Sequence, residues 1–201
     1  MKRLLTLLLF VLTFSAVQAQ RTLIHSGKMV DVNSGQILTE MTIVVEGDKI
    51  VSVDRGYTRA RSGETVIDLK DKTVMPGLMD MHVHIESENS PNAQIQRYTL
   101  NPADIAYNAQ VYAERTLMAG FTTVRDLGGT GVNVALRNAI NAGKVKGPRI
   151  YTAEKTIATT GGHGDPTNGG RYDLLGDPGP KEGVVNSLDD ARKAVRQRYK
   201  N

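Results

Sequence analysis

The chain has 201 residues, of which 40% are hydrophobic and 23% are charged, which is the balance of an ordinary globular protein. The formal net charge is only +4, and no basic patch interleaved with aromatic residues is present, which argues against a nucleic-acid-binding function. The sequence contains no cysteine, so it excludes disulfide bonds and a lipid-modified N-terminal cysteine.

The first 19 residues predict a secretory signal peptide. Residues 1–3 carry two positive charges, and residues 4–14 are an apolar stretch shorter than the roughly 20 residues that a membrane-spanning helix needs. We expect cleavage between Ala19 and Gln20, a secreted or periplasmic location, and no membrane attachment after cleavage. A retained N-terminal anchor is the alternative interpretation.

The pattern of residues 20–75 predicts short strands separated by turns. Residues 41–45 and 50–53 predict a hairpin across the turn at Glu46-Gly47-Asp48-Lys49. Further strands are predicted at residues 23–24, 29–32 and 65–69. We expect a small β-sandwich domain with a structural role, in which His25 is an ordinary surface or turn residue.

The next segment, Pro76 to Ile85, carries two histidines in an apolar, β-branched run. Because residues i and i+2 of a strand point to the same face, His82 and His84 can reach one point in space, with Asp80 on that face as well. The opposite face would carry the apolar residues Met79, Met81, Val83 and Ile85. Imidazole is the commonest metal ligand, so the pair predicts a divalent metal site. A His-x-His pair can also arise by chance, but its place at a strand's C-terminal end favours metal binding.

Residues 86–153 predict a polar loop followed by alternating helices and strands. Residues 86–100 show no periodicity, and a helix then begins with Asn101 as N-cap and Pro102 at the first helical position, and ends at Gly120. Its apolar stripe is Ile105, Ala109, Ala113 and Leu117. A strand at 122–127, a helix at 133–142 and a strand at 149–153 follow. This alternation is typical of parallel βαβ units, and it predicts an α/β fold.

Two charged residues end the strand at 122–127. Arg125 and Asp126 lie where β/α folds keep catalytic groups, so a catalytic role is one interpretation. An internal ion pair or a loop brace is the interpretation that we favour.

Residues 158–186 form a stretch of 29 residues with 8 glycines, 3 prolines and no periodicity. Loops of that length inside a compact domain are usually functional or disordered. His163 in this loop is either a substrate-binding residue or a solvated loop histidine, and metal ligation is a weaker third interpretation. A last helix is predicted after Ser187, which begins a Ser-x-x-Asp capping box. Its predicted apolar face is Ala191, Ala194, Val195 and Tyr199.

The run from Val74 to His84, together with Val66-Ile67-Asp68-Leu69, resembles the metal-binding motif of the amidohydrolase superfamily. The nearest branch is the imidazolonepropionase-like and Xaa-Pro dipeptidase-like (prolidase-like) proteins, whose Thr-Gly-Gly-His-Gly-Asp stretch is matched by Thr160 to Asp165. The resemblance implies a metal-dependent (β/α)₈ TIM barrel from residue 76 onward, with one or two divalent ions, zinc being the expected metal. His82 and His84 carry over as metal ligands, and His163 is the candidate substrate-binding residue.

A (β/α)₈ barrel needs about 250 residues, so we expect residues 76–201 to be its first part, truncated after about three βα units. The remaining ligands and the catalytic acid or base would lie beyond residue 201, and we assign no catalytic residue within this chain. We therefore expect the 201-residue chain on its own to be inactive.

The resemblance implies a hydrolase that cleaves a C–N bond by metal-activated water. Its partner would be a small amide, such as a dipeptide or an N-acyl amino acid. One alternative is a cyclic-amide hydrolase or deaminase of the same superfamily. Another is a secreted protein without catalysis, which binds a partner or is the product of a degenerate gene.

Overall fold

The computed structural model describes residues 20–200, so the predicted signal peptide lies outside the described residues. The chain divides into two compact units, of which the first ends at Pro76 and the second begins at Gly77. None of the helices within residues 20–200 is both long enough and apolar enough to cross a membrane.

The first unit is a four-stranded mixed sheet. Its strands are β1 (Arg21–Asp31), β2 (Gln36–Glu46), β3 (Lys49–Arg55) and β4 (Thr65–Val74), in the order β3-β2-β1-β4. β1 pairs antiparallel with β2 and parallel with β4, and β2 pairs antiparallel with β3. The predicted hairpin is confirmed, with Gly47 at a φ of 62° in its turn.

The two short strands predicted on either side of Ser26-Gly27 are one continuous strand. The pairing of β1 with β4 shifts between Ser26 and Lys28, which marks an irregularity at Gly27. A Cβ atom at Gly27 would collide with the backbone of Lys70 on β4, so the neighbouring strand approaches closely there.

The prediction that His25 is a surface or turn residue is wrong. His25 lies within β1 with only 7% of its surface exposed, and its Nε2 is 3.0 Å from the carbonyl oxygen of Thr58. Its ring also contacts Tyr57, with the two ring centroids 5.3 Å apart. The buried face of this sheet further includes Leu23 and Val44, both fully buried.

The second unit is a parallel β/α arrangement, which confirms the predicted α/β class. Its strands are β5 (Leu78–Val83), β6 (Phe121–Asp126) and β7 (Arg149–Thr152), paired in parallel in the order β5-β6-β7. The helices are α1 (Ala93–Thr99), α2 (Pro102–Met118), α3 (Val132–Asn141), α4 (Tyr172–Leu175) and α5 (Leu188–Lys200).

Helix α2 begins as predicted. The Asp104 carboxylate accepts the backbone N–H of Asn101 at 2.9 Å, which forms a capping box, and Pro102 is the first helical residue. The helix stops before Gly120, whose φ of 98° is readily adopted only by glycine.

Two predictions about helices need correction. The segment 86–100 is not loop throughout, since it contains α1, a short helix that buries none of its residues. The apolar face predicted for α5 is packed only in part, because Ala194 is buried whereas Val195 and Tyr199 are 58% and 93% exposed.

The core of the second unit lies between the sheet and helices α2 and α3. Its buried members are Ile85, Ala109, Ala113, Val124, Leu136 and Ile150. Two fully buried alanines on α2 allow the helix to approach the sheet closely. This packing fixes one face of β5, β6 and β7 and leaves the carboxyl ends of the three strands together at one edge.

Candidate metal centre

The two predicted metal ligands lie side by side at the carboxyl end of β5. His82 is the second-last residue of the strand, and His84 follows directly after the strand's end at Val83. Both side chains are exposed, and their ring centroids are 5.5 Å apart with an angle of 66° between the ring planes.

This spacing fits a shared metal ion. A Zn–N bond of about 2.0–2.1 Å places the centroid of each imidazole roughly 3.2 Å from the ion, so two rings at a tetrahedral angle lie roughly 5.2 Å apart. The 5.5 Å that separates the two centroids is close to this value. Within residues 20–200, no group of three or more His, Cys, Asp and Glu side chains is placed to hold an ion.

The ring of His84 is oriented by the backbone of the loop that follows β6. Its Nδ1 lies 3.0 Å from the carbonyl oxygen of Gly128. A carbonyl oxygen can only accept a hydrogen bond, so Nδ1 must carry the proton of the neutral ring. The lone pair is then on Nε2, which is the arrangement that metal-binding histidines commonly adopt.

The prediction that Asp80 shares the face of the two histidines is wrong. Asp80 pairs with Val124, and Val83 pairs with Asp126, so β5 contains one extra residue between these pairs. This bulge breaks the two-residue alternation and puts Asp80 opposite a fully buried core residue. The Asp80 carboxylate instead accepts the backbone N–H of His82 at 3.0 Å.

The apolar residues of β5 are also divided by the bulge. Ile85 is buried in the core and Val83 packs against it, as predicted. Met79 and Met81 are 68% and 49% exposed, so they do not face the helices.

Asp126 is a loop brace, which is the role favoured from the sequence. The residue is fully buried, and its carboxylate accepts the backbone N–H of Ile85 at 3.1 Å and that of Gly128 at 3.0 Å. Burial raises the pKa of the Asp126 carboxyl, and hydrogen bonds from Gly128, Ile85 and Asn133 partly offset this rise. Arg125 is exposed and donates from Nε to the carbonyl oxygen of Met81 at 2.7 Å.

Sequence reasoning missed a second brace at the same edge, formed by Glu86. The carboxylate of Glu86 is buried and accepts the backbone N–H of Thr130 at 2.7 Å and that of Asn133 at 2.6 Å. A carboxylate at this place also stabilises the positive end of the α3 dipole. A Cβ atom on Gly129 would lie 2.6 Å from Glu86 Oε1, so this close approach requires glycine.

Asn133 continues this brace to the loop after β7. Its side-chain amide donates to the carbonyl oxygen of Glu154 at 2.9 Å. The Glu154 carboxylate in turn binds Arg198 of α5 at 2.8 Å, in an ion pair whose side chains are 17% and 7% exposed. The ends of β5, β6 and β7 are thus connected with α5 through buried and half-buried polar side chains. One signal in the sequence points to Glu86, which comes two positions after the histidine pair.

His163 lies in the long loop after β7 and is exposed. The loop around it is a compact turn held by Asp165, whose carboxylate accepts the backbone N–H groups of Gly161 at 2.8 Å and Thr167 at 2.9 Å. Hydrogen bonds hold the pKa of the Asp165 carboxyl below its usual value. The largest contribution comes from the Thr167 hydroxyl, and the two backbone N–H groups add to it.

Thr156 connects this turn with the backbone that holds His84. A Cβ atom on Gly164, the residue after His163, would lie 3.0 Å from the Cβ of Thr156. A Cβ atom on Gly128 would lie 2.6 Å from the hydroxyl of the same Thr156 and 3.2 Å from Cε1 of His84. The loop that carries His163 therefore approaches the edge where the histidine pair lies.

The family model described as "Amidohydrolase family" matches residues 73–201 of the chain. This match includes β5 with its histidine pair, all the helices, and the loop that carries His163.

Three known proteins are similar over most of the chain. The structure of a Xaa-Pro dipeptidase with bound methionine has 47% sequence identity and a TM-score of 0.84, and the match covers 90% of this chain and 45% of that one. The structure of a prolidase complexed with N-methylphosphonate-L-proline has 31% identity and a TM-score of 0.76, covering 90% and 44%. Ochratoxinase of Aspergillus niger is 27% identical, in an alignment that covers 90% of this chain and 40% of that protein. The chain thus spans less than half the length of each of these three proteins.

Proposed function

Because this chain belongs to the amidohydrolase family, we propose that the full-length protein is a metal-dependent hydrolase of a C–N bond in a small amide. A dipeptide is the proposed substrate, with an N-acyl amino acid as a close chemical equivalent. The similarity to a Xaa-Pro dipeptidase and to a prolidase supports this choice.

The observation that carries the proposal is the histidine pair at the end of β5. His82 and His84 have the ring spacing of two ligands to one ion, and the Gly128 carbonyl leaves Nε2 of His84 free to bind it. We propose zinc as the metal, as one or two ions, with the remaining ligands outside residues 20–200. When bound, such an ion supplies the Lewis acidity that activates water and polarises the scissile carbonyl.

The long loop supplies the proposed contact with the substrate. His163 is exposed on a turn that Asp165 holds in shape, so its ring is free to donate a hydrogen bond to the carbonyl or the carboxylate of a dipeptide. The glycines on either side of it carry no side chains, so the backbone there can also approach a bound ligand closely.

The proposal is tested with the purified full-length protein and a panel of substrates. The panel contains Xaa-Pro dipeptides, other dipeptides, N-acyl amino acids, a cyclic amide and an aminopurine. We expect hydrolysis of dipeptides that is lost after treatment with a chelator and restored by Zn²⁺. Turnover of only the cyclic amide or the aminopurine would agree with membership of the family but would overturn the proposed substrate. Turnover that survives complete removal of metal would overturn the metal-dependent reaction.

A further inference from the structure

We propose that Asp126 is a positioning residue, which holds His84 ready for metal binding by fixing the backbone on both sides of its ring. This inference rests on the proposed function, since it takes His84 as a ligand. It goes further by assigning a role to a residue that does not itself reach the ion.

The geometry of the Asp126 carboxylate carries the inference. Oδ2 accepts the backbone N–H of Ile85, the residue that directly follows His84, at 3.1 Å. Oδ1 accepts the backbone N–H of Gly128, whose own carbonyl oxygen binds Nδ1 of His84, at 3.0 Å. One carboxylate thus connects the segment that carries His84 with the loop segment whose carbonyl orients the His84 ring.

His84 depends on such support because its side chain is exposed. Packing alone does not lock an exposed ring, so the hydrogen bond to Gly128 sets its orientation and its tautomer. The position of that carbonyl depends on Asp126, which is fully buried on the central strand β6 and pairs with Val83 and Thr152 on the two neighbouring strands.

The two oxygens of the Asp126 side chain accept the two N–H groups at once. An aspartate presents two acceptor oxygens, whereas asparagine presents one oxygen and one NH₂ group. Asp126→Asn would keep the shape of the side chain but set a donor against either Ile85 or Gly128. A buried N–H group without an acceptor is costly, so the loop would move away and carry the Gly128 carbonyl with it.

The experiment measures the affinity of the metal-free full-length protein for Zn²⁺, in competition with a chromophoric chelator. Asp126→Asn is compared with the wild type and with Asp165→Asn, a matched control. Asp165 also accepts two backbone N–H groups, but in the loop around His163. We expect the affinity of Asp126→Asn to fall by about 10- to 100-fold, the usual effect of losing a partner of a metal ligand. Asp165→Asn should stay within about twofold of the wild type.

A second variant keeps the inference testable if Asp126→Asn does not fold. Gly128→Ala keeps every hydrogen-bonding group, but its Cβ would crowd the Thr156 hydroxyl and the His84 ring. We expect a similar loss of Zn²⁺ affinity, and a change in the ¹⁵N chemical shifts of His84 that shows a loss of the Nδ1-protonated tautomer.

The outcomes separate the inference from the proposed function. If the wild type does not bind Zn²⁺, or if His84→Ala binds it as tightly as the wild type, the proposed function fails. If His84→Ala weakens binding while folded Asp126→Asn or Gly128→Ala does not, only the positioning role is overturned. An equal loss in Asp165→Asn would also overturn it, because the effect would then not be specific to His84.

Discussion

Among single residues, the exposed histidines of the second unit differ in what surrounds them. His82 and His84 lie two positions apart at the end of β5, with their ring centroids 5.5 Å apart, whereas His163 is on a loop. The first two can share an ion, and the third is free to contact a substrate. This difference allows the two proposed roles to be measured separately.

Replacing His163 with alanine in the full-length protein should lower turnover without removing metal. We expect a fall in kcat/KM of about 10²-fold, the size of the loss when one hydrogen-bond donor to the reacting carbonyl is removed. Metal content should remain that of the wild type. Both quantities are measured on the same preparation, by steady-state kinetics and by elemental analysis. A loss of metal in His163→Ala would instead make this residue a ligand.

The stability of the loop around His163 should depend on pH through Asp165. The Thr167 hydroxyl and two backbone N–H groups lower the pKa of the folded carboxyl. The stabilisation is therefore fully present above the unfolded pKa of about 3.9 and is lost as the pH falls through the lower folded value.

This dependence is read from hydrogen exchange at the amides of Gly161 and Thr167, corrected for intrinsic rates, between pH 6 and pH 3. We expect protection to decrease below about pH 4 in the wild type. In Asp165→Asn, protection should be low and independent of pH. The same pH dependence in both proteins would contradict the role assigned to Asp165.

At the scale of elements, the sequence predicted best where the signal is local. Asn101, Pro102 and Asp104 are neighbours in sequence, and their types alone indicate where α2 begins. Helix α1 was missed because it is short and buries nothing, so no apolar period marks it. No sequence pattern marks the bulge in β5, because strict two-residue alternation is assumed for a strand predicted from sequence. That assumption put Asp80 on the face of the two histidines.

The capping box of α2 provides a prediction for one element. Asp104→Ala removes the acceptor of the Asn101 N–H and a negative charge in the first turn, so it should lower the free energy of unfolding by about 1 kcal/mol. Urea unfolding measures this change. Glu114→Ala, at an exposed position later in the same helix, is the control and should change stability by less than about 0.5 kcal/mol. Equal effects of the two substitutions would show that the cap contributes nothing.

For the molecule as a whole, the candidate site was predictable in part. The histidine pair is visible in sequence because its members are two positions apart on one strand. The braces around it were not, because Glu86 and Asn133 are 47 positions apart, and Glu154 and Arg198 are 44. Such contacts follow from the parallel sheet, which brings the loops after β5, β6 and β7 to one edge.

The mass of the endogenous protein tests the proposed extent and location of the molecule. We expect an N-terminus at Gln20 if the first 19 residues are removed as a signal peptide. The match to the similar Xaa-Pro dipeptidase covers 45% of that chain, so a complete protein of that length has a mass about twice that of residues 20–201. Mass spectrometry of protein from the culture medium or periplasm measures both. A mass matching residues 20–201 would contradict the hydrolase proposal, and an intact Met1 would contradict the secretion proposal.

The central claim is that His82 and His84 hold a catalytic metal in the full-length protein. The most direct measurement is the zinc content and the dipeptide turnover of His82→Ala, each compared with the wild type in one preparation. The account predicts that bound metal and metal-dependent turnover are lost together. Full turnover with a full complement of metal in His82→Ala would contradict it.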